Sequence, residues 1–441
     1  MLGRRATALL IWALVAACGQ SVATTTSAEE RPEYPSAMLG GTGSVVSSDA
    51  QAFSLPLRTL DEGLRPGFVS GDALFRRGWS SELGLGPTYI AVGCSQCHVR
   101  DGRGAPLDIG EGSIVKVSGA EAAYGAQVQV LAVPGVPAEA RVSVEWVEEP
   151  GSFEDGETYT LRRPVLTVTD PVFGTMQEVD MSLRVAPPVL GSGLLEAVPE
   201  SEIAQWEDAE DANGDDISGR VNRLGVDGAT VAGRFGWKAS QSSVLSQSTL
   251  ALWEDIGVTS SMLPTENCPE AQTACAATPS PGPLSDEELR RLELYVRGLG
   301  VPAMRDHEDP EVQAGFEVFV DLGCEQCHRP TMRTGDHELE ALADETIHAF
   351  TDLLVHDMGE RLADGLAEGD ASGSEWRTAP LWGIGLTETV TGATYFLHDG
   401  RARNLTEAIV WHGGEADDAM QRFRGLSADD RSRLLTFLAS L

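Results

Sequence analysis

Basic residues are scarce in this chain. Its 441 residues include 67 aspartates and glutamates but only 32 arginines and lysines, so the formal net charge is −35. Among the basic residues, only Lys116 and Lys238 are lysines. A chain this acidic repels a phosphate backbone, which excludes nucleic-acid binding by general electrostatic attraction. The acid excess is typical of a solvated, soluble surface, or it steers a basic partner towards the protein.

Long apolar runs are also rare, and the one at the N-terminus is short. Residues 8–17 are apolar and follow Arg4 and Arg5, as in the core of a secretory signal peptide. The run ends in Val15-Ala16-Ala17-Cys18, which is similar to the lipobox of bacterial lipoproteins, where the cysteine is acylated. An ordinary signal peptide with an incidental cysteine is the alternative. The sequence predicts a signal peptide over residues 1–17 and an exported, periplasmic lipoprotein held at the outer membrane by Cys18.

No later segment is apolar enough to cross a membrane. Residues 18–52 are rich in serine, threonine, alanine and glycine and show little apolar periodicity. This composition is typical of a flexible linker, so we expect a lipid-anchored tether that ends near residue 52.

Four of the seven cysteines lie in two C-x-x-C-H motifs. These are Cys94-Ser-Gln-Cys97-His98 and Cys324-Glu-Gln-Cys327-His328. The pattern is the attachment signature of c-type haem, in which two thiols add to the haem vinyl groups and the adjacent histidine can bind iron. A four-cysteine zinc site and a thioredoxin-like pair are the alternatives. A histidine directly after each pair, in an exported chain, favours two covalently bound haem c groups.

Two further cysteines remain if Cys18 is acylated. Cys268 and Cys275 are seven residues apart in a proline-rich stretch. In an oxidising compartment we expect them to form a disulfide bond. No free thiol is then left for thiol chemistry.

Each C-x-x-C-H motif is preceded by a predicted helix. Before the second motif, Asp309 suits the N-cap and Pro310 the first helical position, and the helix should end at Gly323. Before the first motif, the apolar spacing of residues 72–79 predicts a shorter helix.

Helix signals also follow each motif. Ser285 and Glu288 form a capping box that begins a helix over residues 284–300, and residues 427–441 form a similar amphipathic segment. Helices around C-x-x-C-H motifs predict a mainly α fold with two cytochrome c-like haem domains, over residues 53–300 and 301–441.

The pattern changes between the two motifs. From about residue 112 to residue 184 the sequence alternates between apolar and polar residues, as in 142–146 and 165–168, with Gly/Pro turns between the segments. We interpret this part as a β-rich insertion of six to eight strands within the first haem domain. It could dock a partner or cover the haem.

Several long motifs resemble those of the di-haem oxidoreductase family, which is related to bacterial di-haem cytochrome c peroxidases and MauG. The matching motifs follow in one order along most of the mature chain: Gly-Cys-Ser-Gln-Cys-His (93–98), Asp-Gly-Arg-Gly (101–104), Gly-Ser-Gly-Leu-Leu-Glu (191–196), Asp-Asp-Ile-Ser-Gly-Arg (215–220), Gly-Arg-Phe-Gly-Trp-Lys-Ala (233–239), 351–359, 375–385, Leu-His-Asp-Gly-Arg-Ala-Arg (397–403) and Trp-His-Gly-Gly-Glu (411–415). The resemblance implies a peroxidase-like oxidoreductase with two haems.

The sixth ligand of the second haem is predicted to be His412, opposite His328. In the related peroxidases a distal ligand follows the His-Asp-Gly histidine by fourteen residues, and counting from His398 gives His412. His398 itself would then hold backbone or a haem propionate. His356 and Met358 are rival ligands with the same donor chemistry.

The first haem has no second histidine nearby, because none occurs between His98 and His307. This absence favours a five-coordinate iron beside His98 that peroxide can reach. Met176, Met181 or Met262 could close the open face, although methionine more often fills a core.

A distal acid or base is needed to move the peroxide proton. The related enzymes have a tryptophan between the haems, a glutamine ten residues later and then an acid. Here Trp237, Gln247 and Glu254 or Asp255 follow that order. The resemblance implies electron relay by Trp237, orientation of peroxide by Gln247 and general acid/base catalysis by one carboxylate. The acid sits earlier than in the relatives, and an interior tryptophan with surface acids is the alternative.

A possible calcium loop begins at Asp211. Asp211, Asn213 and Asp215 place oxygen donors at alternate positions, but the loop lacks the glycine and glutamate of an EF-hand. Related peroxidases hold calcium near their haems, so we expect calcium here rather than a plain acidic turn.

Together these features predict a periplasmic di-haem enzyme. It would reduce hydrogen peroxide, or oxidise a small or protein substrate, at the N-terminal haem, with electrons from a small cytochrome or cupredoxin relayed by the C-terminal haem. The alternative is a non-catalytic electron carrier with two six-coordinate haems.

Overall fold

Helices begin where capping residues stand in the sequence. In the computed structural model, Ser285 accepts a hydrogen bond from the Glu288 amide, and Asp309 and Ser427 cap later helices in the same way. The helix after Asp309 carries Pro310 in its first turn and ends just before Gly323. The predicted starts of these helices are confirmed. The sequence could predict them because capping depends only on residues that are close together in the chain.

The structure describes residues 31–106, 113–119, 121–176 and 179–441. The expected signal peptide and Cys18 lie outside these residues. The chain divides into an N-terminal unit, of which only Arg31 and Pro32 are described, and the unit Glu33–Leu441. Within the described residues, no helix is both long enough and apolar enough to cross a membrane.

The helices of the described residues are mostly short. They are α1 (Arg65–Phe75), α2 (Cys94–Cys97), α3 (Glu121–Tyr124), α4 (Ser192–Glu196), α5 (Glu200–Ala204), α6 (Val244–Asp255), α7 (Thr273–Ala276), α8 (Asp286–Gly298), α9 (Pro310–Asp321), α10 (Thr387–Thr391), α11 (Leu405–Val410), α12 (Asp417–Gly425) and α13 (Ala428–Ser440). The helix expected over 72–79 in fact ends at Phe75, since Pro66 starts it in an earlier turn.

The strands pair only in twos. They are β1 (Thr88–Tyr89), β2 (Ser113–Ser118), β3 (Leu131–Ala132), β4 (Arg141–Ser152), β5 (Thr158–Thr169), β6 (Asp180–Val185), β7 (Arg223–Val226), β8 (Ala229–Ala232), β9 (Met332–Arg333), β10 (Thr346–Ile347), β11 (Val355–Asp357) and β12 (Glu375–Arg377). The antiparallel pairs are β1–β3, β2–β6, β4–β5, β7–β8, β9–β10 and β11–β12. With 30% helix and 18% strand, the fold is mixed, so the prediction of a mainly α fold is only partly right.

The β-rich insertion has fewer strands than predicted. Its described part contains the pairs β2–β6 and β4–β5 together with β3, which is five strands rather than six to eight. Alternation over 128–132 suggests a full strand, but only Leu131 and Ala132 pair with a neighbour. Val115, Tyr124 and Leu183 form a small core of its own.

Two helix pairs repeat the same arrangement in the two halves of the chain. Helix α1 packs against α8, and α9 packs against α13. A side chain on Gly71 would lie 2.1 Å from the Arg291 carbonyl oxygen, and one on Gly315 would lie equally close to that of Arg433. Because glycine has no side chain, the backbones of the two helices in each pair can approach closely at this point. The first helix of each pair, α1 or α9, precedes one of the C-x-x-C-H motifs in the sequence.

The folded unit begins before residue 53, where the sequence predicted the linker to end. Leu39 is fully buried, and the Val45 amide bonds to the Val301 carbonyl. The prediction of a flexible linker is wrong for this part, because small residues there pack closely. A side chain on Gly40 would meet Val301 at 2.9 Å.

Candidate functional site

The first C-x-x-C-H motif lines a cavity of about 230 Å³. Helix α2 spans Cys94 and Cys97, and neither thiol is in a disulfide bond. His98 follows directly, and burial lowers its pKa to about 4. The imidazole is therefore neutral near pH 7 and keeps a nitrogen lone pair for a metal.

The second motif lines a separate cavity of about 250 Å³, in which two histidines face each other. The rings of His328 and His412 are 6.5 Å apart between centroids. His328 Nδ1 lies 3.0 Å from the Phe350 carbonyl oxygen, and His412 Nδ1 lies 2.8 Å from that of Ala408. A carbonyl only accepts, so each Nδ1 carries the proton and each Nε2 is free to bind a metal.

These residues fit covalently attached haem. Each cavity combines two cysteines that are outside any disulfide bond with a neutral histidine and a largely apolar lining. First-row metal ions bind imidazole nitrogen at about 2 Å, so rings as far apart as those of His328 and His412 can hold one ion between them. Burial lowers the pKa of His328 to about 4 and also lowers that of His412, which keeps both rings neutral.

His356, the rival ligand, is engaged on both ring nitrogens. Its Nε2 lies 2.9 Å from Asp352 and its Nδ1 lies 2.6 Å from Glu415. Burial opposes its charge, but the Cys327 sulfur and the Asp352 carboxylate outweigh burial and raise the pKa of His356 well above its usual value. A protonated ring held in this way has no lone pair for iron.

His398 and Met358 also line the second cavity. The His398 ring stacks on Trp376, with centroids 3.8 Å apart and an angle of 7° between the planes. Burial lowers its pKa to about 3, so the ring is neutral. His398 therefore contributes a flat aromatic surface to the cavity wall.

The two cavities share a wall that contains Trp237. The shared lining comes from distant parts of the sequence: Arg103, Pro188, Leu190, Trp237, Arg377, Ala379, Pro380 and Trp382. Trp237 donates from its indole nitrogen to the Val185 carbonyl at 2.8 Å, which fixes the ring. The guanidinium carbon of Arg103 lies 5.2 Å from the Trp237 ring centroid. The predicted relay residue thus lies between the two cavities.

Helix α6 brings the other predicted catalytic residues to the first cavity. Gln247, Glu254 and Asp255 all line it. Glu254 pairs with Lys116 at 2.7 Å, whereas Asp255 accepts a hydrogen bond from Gln127 at 2.9 Å. Burial, and secondly the Glu254 charge, raise the pKa of Asp255 to about 7.

The candidate methionine ligands lie away from the first cavity. Met176 and Met181 belong to the core of the insertion, and Met262 is exposed. Among the described residues, the lining of the first cavity contains no methionine and no histidine other than His98. If Cys94 and Cys97 are used for haem attachment, His98 is therefore the one histidine or methionine ligand that the described lining offers to iron.

In the acidic loop at Asp211, the side-chain oxygens accept hydrogen bonds from backbone amides of the same loop. The Asp215 amide donates to Asp211 and Asn213, each at 3.0 Å, and the Ile217 amide donates to Asp215 at 3.0 Å. These oxygens are satisfied without an ion, and calcium at this loop stays a prediction. Elsewhere, a disulfide bond joins Cys268 to Cys275.

Some cavity residues were assigned no role from the sequence. Arg103, Arg377 and Trp382 lie inside motifs that carry the family resemblance, and Lys116 is one of only two lysines. The sequence therefore contained a signal for these residues, but the tertiary fold places Arg103, Arg377 and Trp382 between the two cavities and Lys116 in the first.

Comparison with known families gives the family to which the chain belongs. Residues 130–441 match the family described as "Di-haem oxidoreductase, putative peroxidase". The chain belongs to this family. The matched range includes the second C-x-x-C-H motif, His412 and the predicted distal residues, and membership of a di-haem family implies two haems. The first motif lies before the matched range.

Other comparisons add little. No curated protein matches the chain. Among solved structures, a chain of hydrazine synthase from Kuenenia stuttgartiensis, pressurised with 20 bar xenon, matches at 22% identity and a TM-score of 0.24. The match covers 36% of this di-haem oxidoreductase and 57% of the hydrazine synthase chain.

Proposed function

We propose that this di-haem oxidoreductase reduces hydrogen peroxide at the first cavity, with electrons that arrive through the second. The proposal is supported by the asymmetry of the two cavities. Two neutral imidazoles face each other in the second, whereas the described lining of the first contains His98 and no other histidine or methionine. Iron with two strong axial ligands passes electrons, whereas iron with an open face can bind peroxide.

The chain's own residues would handle the protons. Haem supplies the redox chemistry when bound. Asp255, whose pKa is about 7, takes the proton from incoming peroxide and returns it to the leaving oxygen, and Gln247 orients the peroxide. Glu254 stays ion-paired with Lys116 and adds the negative charge that helps to raise the Asp255 pKa. The overall reaction consumes two electrons and two protons for each peroxide and forms two water molecules.

Trp237 is proposed to carry electrons between the two haems. It lies in the wall that both cavities share, and its indole nitrogen is already bonded to a backbone carbonyl. The initial donor would be a small cytochrome or cupredoxin, and oxidation of another small or protein substrate at the first haem uses the same parts. Export, acylation of Cys18 and calcium at Asp211–Asn213–Asp215 belong to the same proposal.

Optical and low-temperature EPR spectra of the holoprotein, oxidised and half-reduced, test the proposal. We expect a high-spin ferric signal that disappears when hydrogen peroxide is added, beside a low-spin signal that does not change. Two low-spin haems that are inert to peroxide in both redox states would contradict the proposal and indicate an electron carrier.

A further inference from the structure

Two arginines in the shared wall bind only backbone carbonyl groups. Arg103 donates from Nε to Tyr395 at 2.8 Å and from Nη2 to Leu397 at 2.6 Å. Arg377 donates from Nε to Gly236 at 3.1 Å and from Nη1 to Thr378 at 3.0 Å. Each guanidinium keeps one terminal nitrogen, Nη1 in Arg103 and Nη2 in Arg377, without a hydrogen bond to any described residue.

The other cations of the first cavity have acidic partners. Arg184 pairs with Asp364 at 2.8 Å and also with Glu368, and Lys116 pairs with Glu254. Among the described residues, by contrast, no carboxylate forms an ion pair with Arg103 or Arg377. In a chain with twice as many acidic as basic residues, two unpaired arginines in an internal wall are unexpected.

Both arginines stay charged although their surroundings disfavour the charge. Burial lowers the pKa of Arg103 to about 10, and it lowers that of Arg377 to about 10 although the charge of Asp352 acts in the opposite direction. Both are therefore cations near pH 7. A cation that is shielded from water and forms no ion pair with a described carboxylate is costly, so the wall is suited to receive an anion. The planar fork of a guanidinium matches a carboxylate, which can accept two parallel hydrogen bonds.

We infer that Arg103 and Arg377 bind haem propionate groups at the wall between the two cavities. The inference rests on the proposed di-haem function, because haem carries its two carboxylates at one edge. Both arginines line both cavities, so they would hold the carboxylates of a haem in either cavity at this wall. Both arginines also contact the Trp237 segment: Arg103 lies over the Trp237 ring, and the Arg377 amide donates to the Trp237 carbonyl at 2.9 Å.

This arrangement has a measurable electrostatic effect. A fixed positive charge beside a haem stabilises the reduced, less positive iron and so raises the midpoint potential. Loss of the charge would lower that potential. A tenfold change in the equilibrium between reduced and oxidised haem corresponds to about 59 mV for a one-electron couple.

Spectroelectrochemical titration of the holoprotein tests the inference in Arg103→Gln and Arg377→Gln. We expect each change to shift the reduced/oxidised equilibrium of at least one haem by about tenfold towards the oxidised form. Arg103→Lys and Arg377→Lys retain the charge and should retain most of the wild-type potential. The matched control is Arg234→Gln, because Arg234 also donates to backbone carbonyls, those of Val198 and Ala232, but lines neither cavity.

Haem content, measured as the pyridine haemochrome of each variant, separates two kinds of failure. Two haems per chain with unchanged potentials in both glutamine variants would overturn this inference and leave the proposed function standing. The inference is also overturned, with the proposed function left standing, if Arg234→Gln shifts the potentials as much as Arg103→Gln and Arg377→Gln do. Fewer than two covalent haems in the wild-type chain would overturn both.

Discussion

At the scale of single residues, two neighbouring carboxylates at the end of α6 have different surroundings. Glu254 has a lysine partner at 2.7 Å, whereas Asp255 has only an amide donor, Gln127, at 2.9 Å. The family pattern alone could not choose between them, because both follow Gln247 at similar spacing. Their tertiary partners favour Asp255 as the group that exchanges a proton near pH 7.

Replacing Asp255 should remove a pH dependence. If its carboxylate accepts the peroxide proton, kcat/KM of the wild type rises with pH until Asp255 ionises, at about pH 7. In Asp255→Asn, we expect kcat/KM at pH 7 to fall by about 10²–10⁴-fold and this limb of the profile to vanish. Glu145→Gln, on the exposed face of β4, should keep the wild-type profile. If kcat/KM of Asp255→Asn still rises with pH over the same range as in the wild type, another group accepts the peroxide proton.

Replacing His412 should change the spin state of one haem. Because the Nε2 of His412 is unprotonated and faces His328, the variant His412→Ala should lose the low-spin EPR signal of the second haem. His307→Gln, which lies outside both cavities, should leave the spectrum unchanged. If the low-spin signal survives in His412→Ala, another residue, such as Met358, is the ligand.

At the scale of secondary-structure elements, the β4–β5 hairpin reaches the C-terminal half of the chain. Near its tip, Phe153 packs edge-on against Phe423 of α12 and beneath the guanidinium of Arg431. Further back, the Thr160 carbonyl accepts a hydrogen bond from Arg403 at 2.8 Å, and Arg403 pairs with Glu407 of α11. The hairpin therefore braces the helix that ends just before His412.

Truncating Phe153 should loosen this contact. Phe153 is 5% exposed, so Phe153→Ala should lower the free energy of unfolding by about 3 kcal/mol through lost burial and a cavity. Urea denaturation of the holoprotein measures the change. Val147→Ala on the same hairpin is the control, because Val147 is 40% exposed and should cost less than about 0.5 kcal/mol. Equal losses in both variants would contradict a specific role for the tip.

The sequence predicts helices better than it predicts the insertion. The caps at Ser285, Asp309 and Ser427 are local signals, so they locate helix starts without knowledge of the fold. Alternation over 128–132 is equally visible, but the backbone partner changes along the segment: the Val128 amide donates to the Val115 carbonyl, whereas Leu131 and Ala132 pair with β1. That Arg103 and Arg377 form no ion pair with a described carboxylate could not be predicted, because ion pairing between distant residues is a property of the tertiary structure.

At the scale of the whole molecule, the net charge of −35 should govern encounter with the electron donor. Attraction between an acidic protein and a basic partner speeds association, and salt screens it over about 10 Å at 0.1 M. Stopped-flow reduction by a basic cytochrome should therefore slow as ionic strength rises. An acidic donor of similar potential should show the opposite trend. If the reduction rate is independent of ionic strength with both donors, the overall charge does not steer their association with the protein.

The shared wall has a consequence for the order of biosynthesis. Its residues come from both halves of the chain, from Arg103 to Trp382, and together they close the inner side of each cavity. A haem attached at either motif would lie against this wall. We therefore expect haem to be joined to the thiols before the two halves of the chain pack together. Maturation of this protein is expected to run from attachment to folding, with the bound cofactors serving as the surface on which the two halves assemble.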